Sequence, residues 1–366
     1  MKTLVQYLFF VTVLTLSTAC QNKKQNMDSI MEKKLPQFEW EENLNCPPGY
    51  PVEVYRGGLE GNAAYASLSN GTSTGLRGWG CSGSGSSYGK KALPNRINCI
   101  WVSYAERCLY NIDSAIDYDK LEQLFEEGYQ DSSFFFNGNG EYKKTTFDTI
   151  IVGFAPGGVC VIWAMGAGRQ VEIGRYKGEK YVVPQEEIAK LDNHESLLFS
   201  HAEYERIMNN TQIVPLAIRQ ANAGKPIPYG LWDTYRTRYS WRPVSVIKED
   251  GGIVRGVGIE CFNGENENLF DEDLIENKYI KRGIPKSLGF SWKDKKGQRY
   301  GGSVDFDEEE IFKVFNEFYK DNSEGEAELE FTINKNNDFV TVLFKKDGKD
   351  IRLRRTKVTT YKSSLK

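Results

Sequence analysis

Residues 147–172 read FDTIIVGFAPGGVCVIWAMGAGRQVE. Three apolar, β-rich runs are separated by APGG and GAG. Pro156-Gly157 supplies the central pair of a type II turn, because proline fixes its own φ and glycine accepts the positive φ that follows. In the second run Val159, Val161, Trp163 and Met165 line one face, and Cys160, Ile162 and Ala164 the other. Both faces are apolar, so this strand belongs at the centre of a sheet covered on two sides. The stretch predicts a β-meander.

Outward from it the texture stays β-rich. Pro51–Tyr55 alternates like a strand, Leu76–Gly89 (LRGWGCSGSGSSYG) is a Gly/Ser-rich loop, and Ile97–Glu106 is strand-like again. Asp117–Gly128 predicts a helix with an aspartate N-cap and a glycine stop. Ala202–Asn209 and Gln212–Ala223 have helical spacing, split by Pro215. Beyond Pro243 come strand-like runs at Gly252–Phe262, Ser287–Trp292, Glu328–Ile333, Phe339–Phe344 and Asp350–Thr359, with Asp347-Gly348 as a hairpin turn. One amphipathic helix, Asp307–Tyr319, interrupts them. Its acidic first turn suits the positive end of the helix dipole, and Ile311, Phe312, Phe315 and Phe318 form its apolar stripe. The 35 Gly, 20 Tyr, 20 Phe and 7 Trp support the same class. The expected fold is α+β, mostly antiparallel β, meander- or sandwich-like, with a few short helices. No internal repeat is visible.

The amino terminus sets the location. Lys2 precedes the apolar run Leu4–Leu16, and Ser17-Thr18-Ala19 precede Cys20. A charged start, a short apolar run and small residues before a cysteine describe a lipoprotein signal. The run is shorter than the ~20 residues of a spanning helix. Ser17 stands where such signals usually carry leucine. Residues 1–19 are expected to be removed and Cys20 acylated, with palmitate among its chains. Residues 20–36 are then a polar, lysine-rich tether. A β-rich domain over 37–245 and a C-terminal extension or second domain over 246–366 complete the expected organisation. The expected location is the cell envelope, on the periplasmic or surface face of the outer membrane.

Candidate chemistry is sparse. A net charge of −3 and the lack of a basic block with interleaved aromatics argue against nucleic acid. His194 and His201 lack HExxH spacing or a third ligand, and no metal is expected. Ser82, Ser84 and Ser86 lack the GxSxG context of an activated serine. Gly80, Gly83, Gly85 and Gly89 before Lys90-Lys91 miss the phosphate-loop spacing, so the loop is expected to pack Trp79 against a sheet. The acidic stretches Glu265–Glu276 and Asp305–Glu310 lack calcium-loop order and read as solvated surface. Of the six cysteines after Cys20, Cys160 and Cys261 sit in strand-like runs as buried thiols. Cys46, Cys81, Cys99 and Cys108 are the better disulfide candidates. Tyr229–Val244 (YGLWDTYRTRYSWRPV) concentrates Trp, Tyr and Arg, the side chains that dominate protein-binding hot spots. Trp232, Tyr235, Arg236, Arg238 and Arg242 are its candidate anchors. The alternative there is an amphipathic element with aromatics inside and arginines snorkelling outward.

The 147–172 stretch, GYPVEVYRGG at 49–58, GWG at 78–80, WVSYAE at 101–106 and the 229–244 segment together resemble bacterial lipoproteins catalogued as domain of unknown function 2931. The resemblance is best over residues 38–245. It implies a lipoprotein with no established catalytic residues, and some members are paired, as immunity lipoproteins, with secreted antibacterial lipase effectors. The expectation is a non-enzymatic, cofactor-free module that binds a protein partner, a toxin by that resemblance. The alternatives are an envelope glycan hydrolase acting through acidic residues, or a glycan-binding module using exposed aromatics such as Trp79 and Trp101.

Overall fold

The computed structural model describes residues 35–62, 64–130, 144–192, 195–270 and 272–364. The signal segment, Cys20, most of the tether and His194 lie outside them. Within residues 37–181 the chain forms β1 (Gln37–Asn45), β2 (Val52–Gly61), β3 (Ala64–Ser67), β4 (Gly89–Ala92), β5 (Arg96–Ser103), β6 (Cys108–Ala115), helix α1 (Tyr118–Glu127), the small pair β7 (Tyr129–Gln130) and β8 (Lys144–Thr145), β9 (Thr149–Ala155), β10 (Val159–Gly166), β11 (Arg169–Lys177) and β12 (Glu179–Tyr181). A helical stretch follows: α2 (Gln185–Ile188), a 3-10 turn at Glu195–Phe199, α3 (His201–Asn209), α4 (Leu216–Asn222) and α5 (Leu231–Thr234). Then come β13 (Arg238–Ile247), β14 (Ile253–Cys261), β15 (Asn266–Phe270), α6 (Glu272–Glu276), β16 (Ile280–Gly283), β17 (Pro285–Lys293), β18 (Arg299–Asp305), α7 (Glu308–Tyr319), β19 (Ala327–Ile333), β20 (Val340–Lys346), β21 (Lys349–Arg352) and β22 (Lys357–Lys362).

These strands build one ten-stranded sheet, β22-β18-β17-β14-β15-β11-β10-β9-β1-β4, and two five-stranded sheets, β12-β6-β5-β2-β3 and β16-β13-β19-β20-β21. β1 with β9 and β13 with β19 are parallel, and the sheets are otherwise built mainly of antiparallel pairs. The meander is as the sequence predicted: β9, β10 and β11 are consecutive neighbours, and Gly157 has φ 83°. Central strand β10 is buried on both faces. Cys160, Ile162 and Ala164 enter a core with Trp40, Val54, Ile97, Trp101 and Phe154. Val159, Val161 and Trp163 enter a separate cluster on the opposite face.

The helices follow their sequence signals. Asp117 caps α1 by accepting from Lys120 N at 3.1 Å, and Asp307 caps α7 by accepting from Glu310 N at 2.9 Å. Helix α1 buries Leu121 and Phe125; α7 buries Ile311, Val314, Phe315 and Tyr319. Phe312 and Phe318 of the expected stripe are only half-buried, because the core-facing row runs through Val314 and Tyr319 instead. Each buried phenylalanine contributes roughly 1.5–3 kcal/mol, and truncating one to alanine costs about 3–5 kcal/mol. The run Asp350–Thr359 is not one strand. It breaks at buried Leu353, and β21 and β22 belong to different sheets.

The strand order recurs along the chain, although no repeat is visible in the letters. From residue 37 to 181 the order is one strand in the first sheet, two in the second, one in the first, two in the second, a helix, three in the first and one in the second, β7 and β8 aside. From 238 to 362 the order is the same, α6 aside, with the sheet of β13 as the first and the strands of the ten-stranded sheet as the second. The spatial orders also match: β11-β10-β9-β1-β4 corresponds to β21-β20-β19-β13-β16, and β12-β6-β5-β2-β3 to β22-β18-β17-β14-β15. The boundary expected near residue 245 falls inside β13.

Candidate functional site

The segment at 229–244 draws the resembling motifs into one place. Trp232, on α5, is 2% exposed and lies with Trp79 of the GWG loop and Trp163 of β10 on the outer face of the meander. Trp79 meets Trp163 edge-on at 5.0 Å and Trp232 at 6.5 Å; Tyr50 meets Trp232 edge-on at 5.3 Å. Gly153 makes room for this stack: a Cβ there would stand 2.6 Å from Trp163 and 2.9 Å from Trp79. The Gly/Ser loop therefore does pack Trp79 on a sheet. Asn45 clamps it, donating to Gly78 O and Cys81 O and accepting from Gly80 N.

The candidate anchors consequently need correcting. Trp232 and Tyr235 are core residues, and the Tyr235 hydroxyl donates to Glu308 at 2.6 Å. The arginines are occupied within the chain. Arg236 makes a forked bond to Glu172, whose side chain is 4% exposed, with a closest approach of 2.7 Å. Arg238 lies 2.9 Å from Glu265 and 3.6 Å from Glu172. Arg242 lies 2.5 Å from Glu328 and 4.3 Å over the Tyr279 ring. The Arg242 bond holds the Glu328 carboxyl below its ordinary range against burial. The snorkelling alternative fits the aromatics, but the arginines end on carboxylates rather than in water. Trp79 and Trp101, offered as carbohydrate-facing aromatics, are 8% and 0% exposed.

Tyr229 is different. It is 62% exposed, the one aromatic of the segment left on the surface, and it stands over the APGG turn, where a Cβ on Gly157 would lie 3.2 Å from its ring. That turn is fixed from below by Glu106 of WVSYAE. Both carboxylate oxygens accept from Gly157 N at 3.1 Å, and Glu106 also accepts from Tyr110 and Ser103 hydroxyls at 2.8 Å. Burial and the Glu106 charge push the Tyr110 and Tyr229 phenols up.

A second polar knot ties the Gly/Ser loop to β1. Glu42, fully buried, accepts from Ser86 N, the Ser86 hydroxyl and the Ser87 hydroxyl, with Lys91 at 3.5 Å. Burial works against its charge, but the two serines and Lys91 outweigh it and hold the carboxyl below its ordinary value. Lys91 lies 4.0 Å over the Trp40 ring.

The remaining sequence candidates are placed as follows. His201 begins α3 and meets Arg107 at 2.9 Å; among the described residues no three metal-ligating side chains converge. In the acidic stretch, Glu265 and Glu267 are paired with Arg238 and Arg282 rather than solvated. All six described cysteines are free thiols, including the four offered for disulfides. Burial pushes the Cys46 thiol up to about 12. No described helix is long and apolar enough to cross a membrane. Sequence reasoning missed Glu42, Glu106 and Glu172. Their only local signal is a carboxylate inside an otherwise strand-like run.

A family model described as a protein of unknown function (DUF2931) matches residues 17–230. No curated protein and no solved structure matches the chain. With more than half its length matched, the chain belongs to the DUF2931 family.

Proposed function

We propose that this protein is a lipid-anchored envelope module that binds and occludes a protein partner without catalysing a reaction. Immunity against a secreted antibacterial effector of the lipase type is the role that suits it best. Cys20 and its signal supply the anchor, and residues 20–36 the tether. The observation that carries the reading is Tyr229. It is a solvent-facing aromatic held over a turn whose Gly157 amide is fixed by Glu106, beside a packed tryptophan stack. Tyrosine offers large, stiff contact area, and a preformed support lowers the ordering cost of binding. The carboxylates of the segment and its supports serve architecture in this reading: Glu106 holds backbone, and Glu172 and Glu265 each hold an arginine.

The test is capture. The soluble chain from residue 21 is incubated with the product of the neighbouring gene, and co-purification is measured with and without Tyr229→Ala. Loss of one hot-spot side chain costs about 2 kcal/mol or more, a fall in affinity on the order of thirtyfold, at unchanged thermal stability. No capture by the parent chain, together with no protection of cells making the toxin, defeats the proposal. Turnover of an envelope glycan or lipid that one carboxylate substitution abolishes would replace it with an enzyme.

A further inference from the structure

We infer that residues 238–362 are a second copy of the domain formed by residues 37–181, docked on it as one domain binds another of its own fold. The matching strand order is supported by matching detail. Trp40 on β1 donates to Ala92 O on β4, and Trp241 on β13 donates to Gly283 O on β16. The residue before each acceptor is a cation over that tryptophan: Lys91 over Trp40 and Arg282 over Trp241. Trp101 pairs with Tyr110 across β5–β6 and stacks on it at 5.3 Å; Trp292 pairs with Tyr300 across β17–β18 and stacks at 5.4 Å. Opposite these tryptophans both hairpin partners carry a bulge, after Val54 and after Val254. Both helices follow with a capping aspartate and a buried phenylalanine, Phe125 and Phe315. The β10–β11 and β20–β21 turns are both two residues long and end in a positive-φ glycine, Gly168 and Gly348. The family match stops at residue 230, before the second copy begins.

The join between the copies has the make-up of an interface. β11 and β15 register only at Gln170 and Asn266, whereas neighbours inside each copy pair along most of their length. Side chains do the rest. Trp163 donates to Asn263 O at 3.1 Å, Gln170 donates to Gly264 O at 2.6 Å, and Arg238 bridges Glu172 and Glu265. A cleft of about 140 Å³ opens beside it, lined by Arg169, Ile259, Glu267 and Arg282. The two main cores share no residue. The surface made by the β11 edge, Trp163 and the GWG loop is thus a docking face whose partner is another domain of this fold. The free ends do not repeat it. By register, Asp350 and Arg352 of β21 stand where Gln170 and Glu172 stand in β11, and Tyr65 of β3 stands where Asn266 stands in β15.

Hydrogen exchange on the intact chain from residue 21 tests this. Two protected blocks are expected, β5–β6 with β9–β10 and β17–β18 with β19–β20, while the Gln170 and Asn266 amides exchange at least tenfold faster than either block. Trp292→Phe is expected to raise exchange in the second block at least tenfold and to leave the first within twofold; Trp101→Phe should do the reverse. Joint amides as protected as the blocks, or both blocks failing together in either variant, would show one continuous domain and overturn the inference.

Discussion

Glu172 offers the sharpest quantitative test. Its carboxylate is 4% exposed and meets Arg236 at 2.7 Å and Arg238 at 3.6 Å, whereas the two arginine side chains are 28% and 30% exposed. The cost of breaking this triad should therefore depend on which side is removed. Glu172→Ala leaves two guanidinium groups that water can reach, one of them still paired with Glu265 at 2.9 Å. That variant should lose about 1–2 kcal/mol. Arg236→Ala with Arg238→Ala strands a buried charge, which costs about 3–5 kcal/mol. The triple alanine variant has no charge left at the buried position 172, and the Glu265 that it unpairs is 20% exposed, so it should be more stable than the double despite carrying one more truncation. Urea midpoints from tryptophan fluorescence measure this, and the double variant should also melt on the order of 10 °C early. A triple variant as unstable as the double, or costs that simply add, would refute the reasoning, since interacting groups must couple.

Three further outcomes are expected. Trp163→Phe should destabilise about 1–2 kcal/mol more than Trp79→Phe, because Trp163 leaves Asn263 O without its donor while the buried Trp79 indole nitrogen has no acceptor to lose; equal urea midpoints would contradict this. Native alkylation followed by mass spectrometry should reach Cys81 and Cys108, both half-buried, well before Cys46, Cys99, Cys160 and Cys261, whose thiols burial pushes up and out of reach; early labelling of Cys160 would count against the core assignment. Glu42 has a folded value below its ordinary 4.5, so its contribution is present above that pH and lost as pH falls through the lower folded value. Glu42→Gln should flatten the acid limb of the stability–pH curve, and an unchanged limb would exclude this role.

The meander was legible because β10 is apolar on both faces and turns of fixed chemistry bound it. The capped helices were legible for the same local reasons. The segment at 229–244 was found by residue type, but type does not say which way a side chain points. Trp232 and Tyr235 were offered as surface and are core. The arginine partners could not be read either: Glu172 is 64 positions from Arg236 and Glu328 is 86 from Arg242. The repeat escaped notice because the letters that persist, such as Trp101 and Trp292 or Tyr110 and Tyr300, are few and scattered, while most equivalent positions keep only their burial. Ala164 and Phe344 occupy one equivalent position, Cys160 and Val340 another, and at the docking edge Glu172 has become Arg352.

An edge that accepts a neighbour of the same fold head to tail invites unlimited growth, because each added unit presents a fresh acceptor. Here the outermost strand on one side, β21, is fully exposed and carries Lys349, Asp350 and Arg352, while the opposite outermost strand, β3, is four residues long. Short strands and ionised side chains are how soluble proteins keep sheets from zipping into fibres. Strands of this kind are poor templates for a further unit, and replacing the β21 charges with apolar residues is the change expected to promote aggregation.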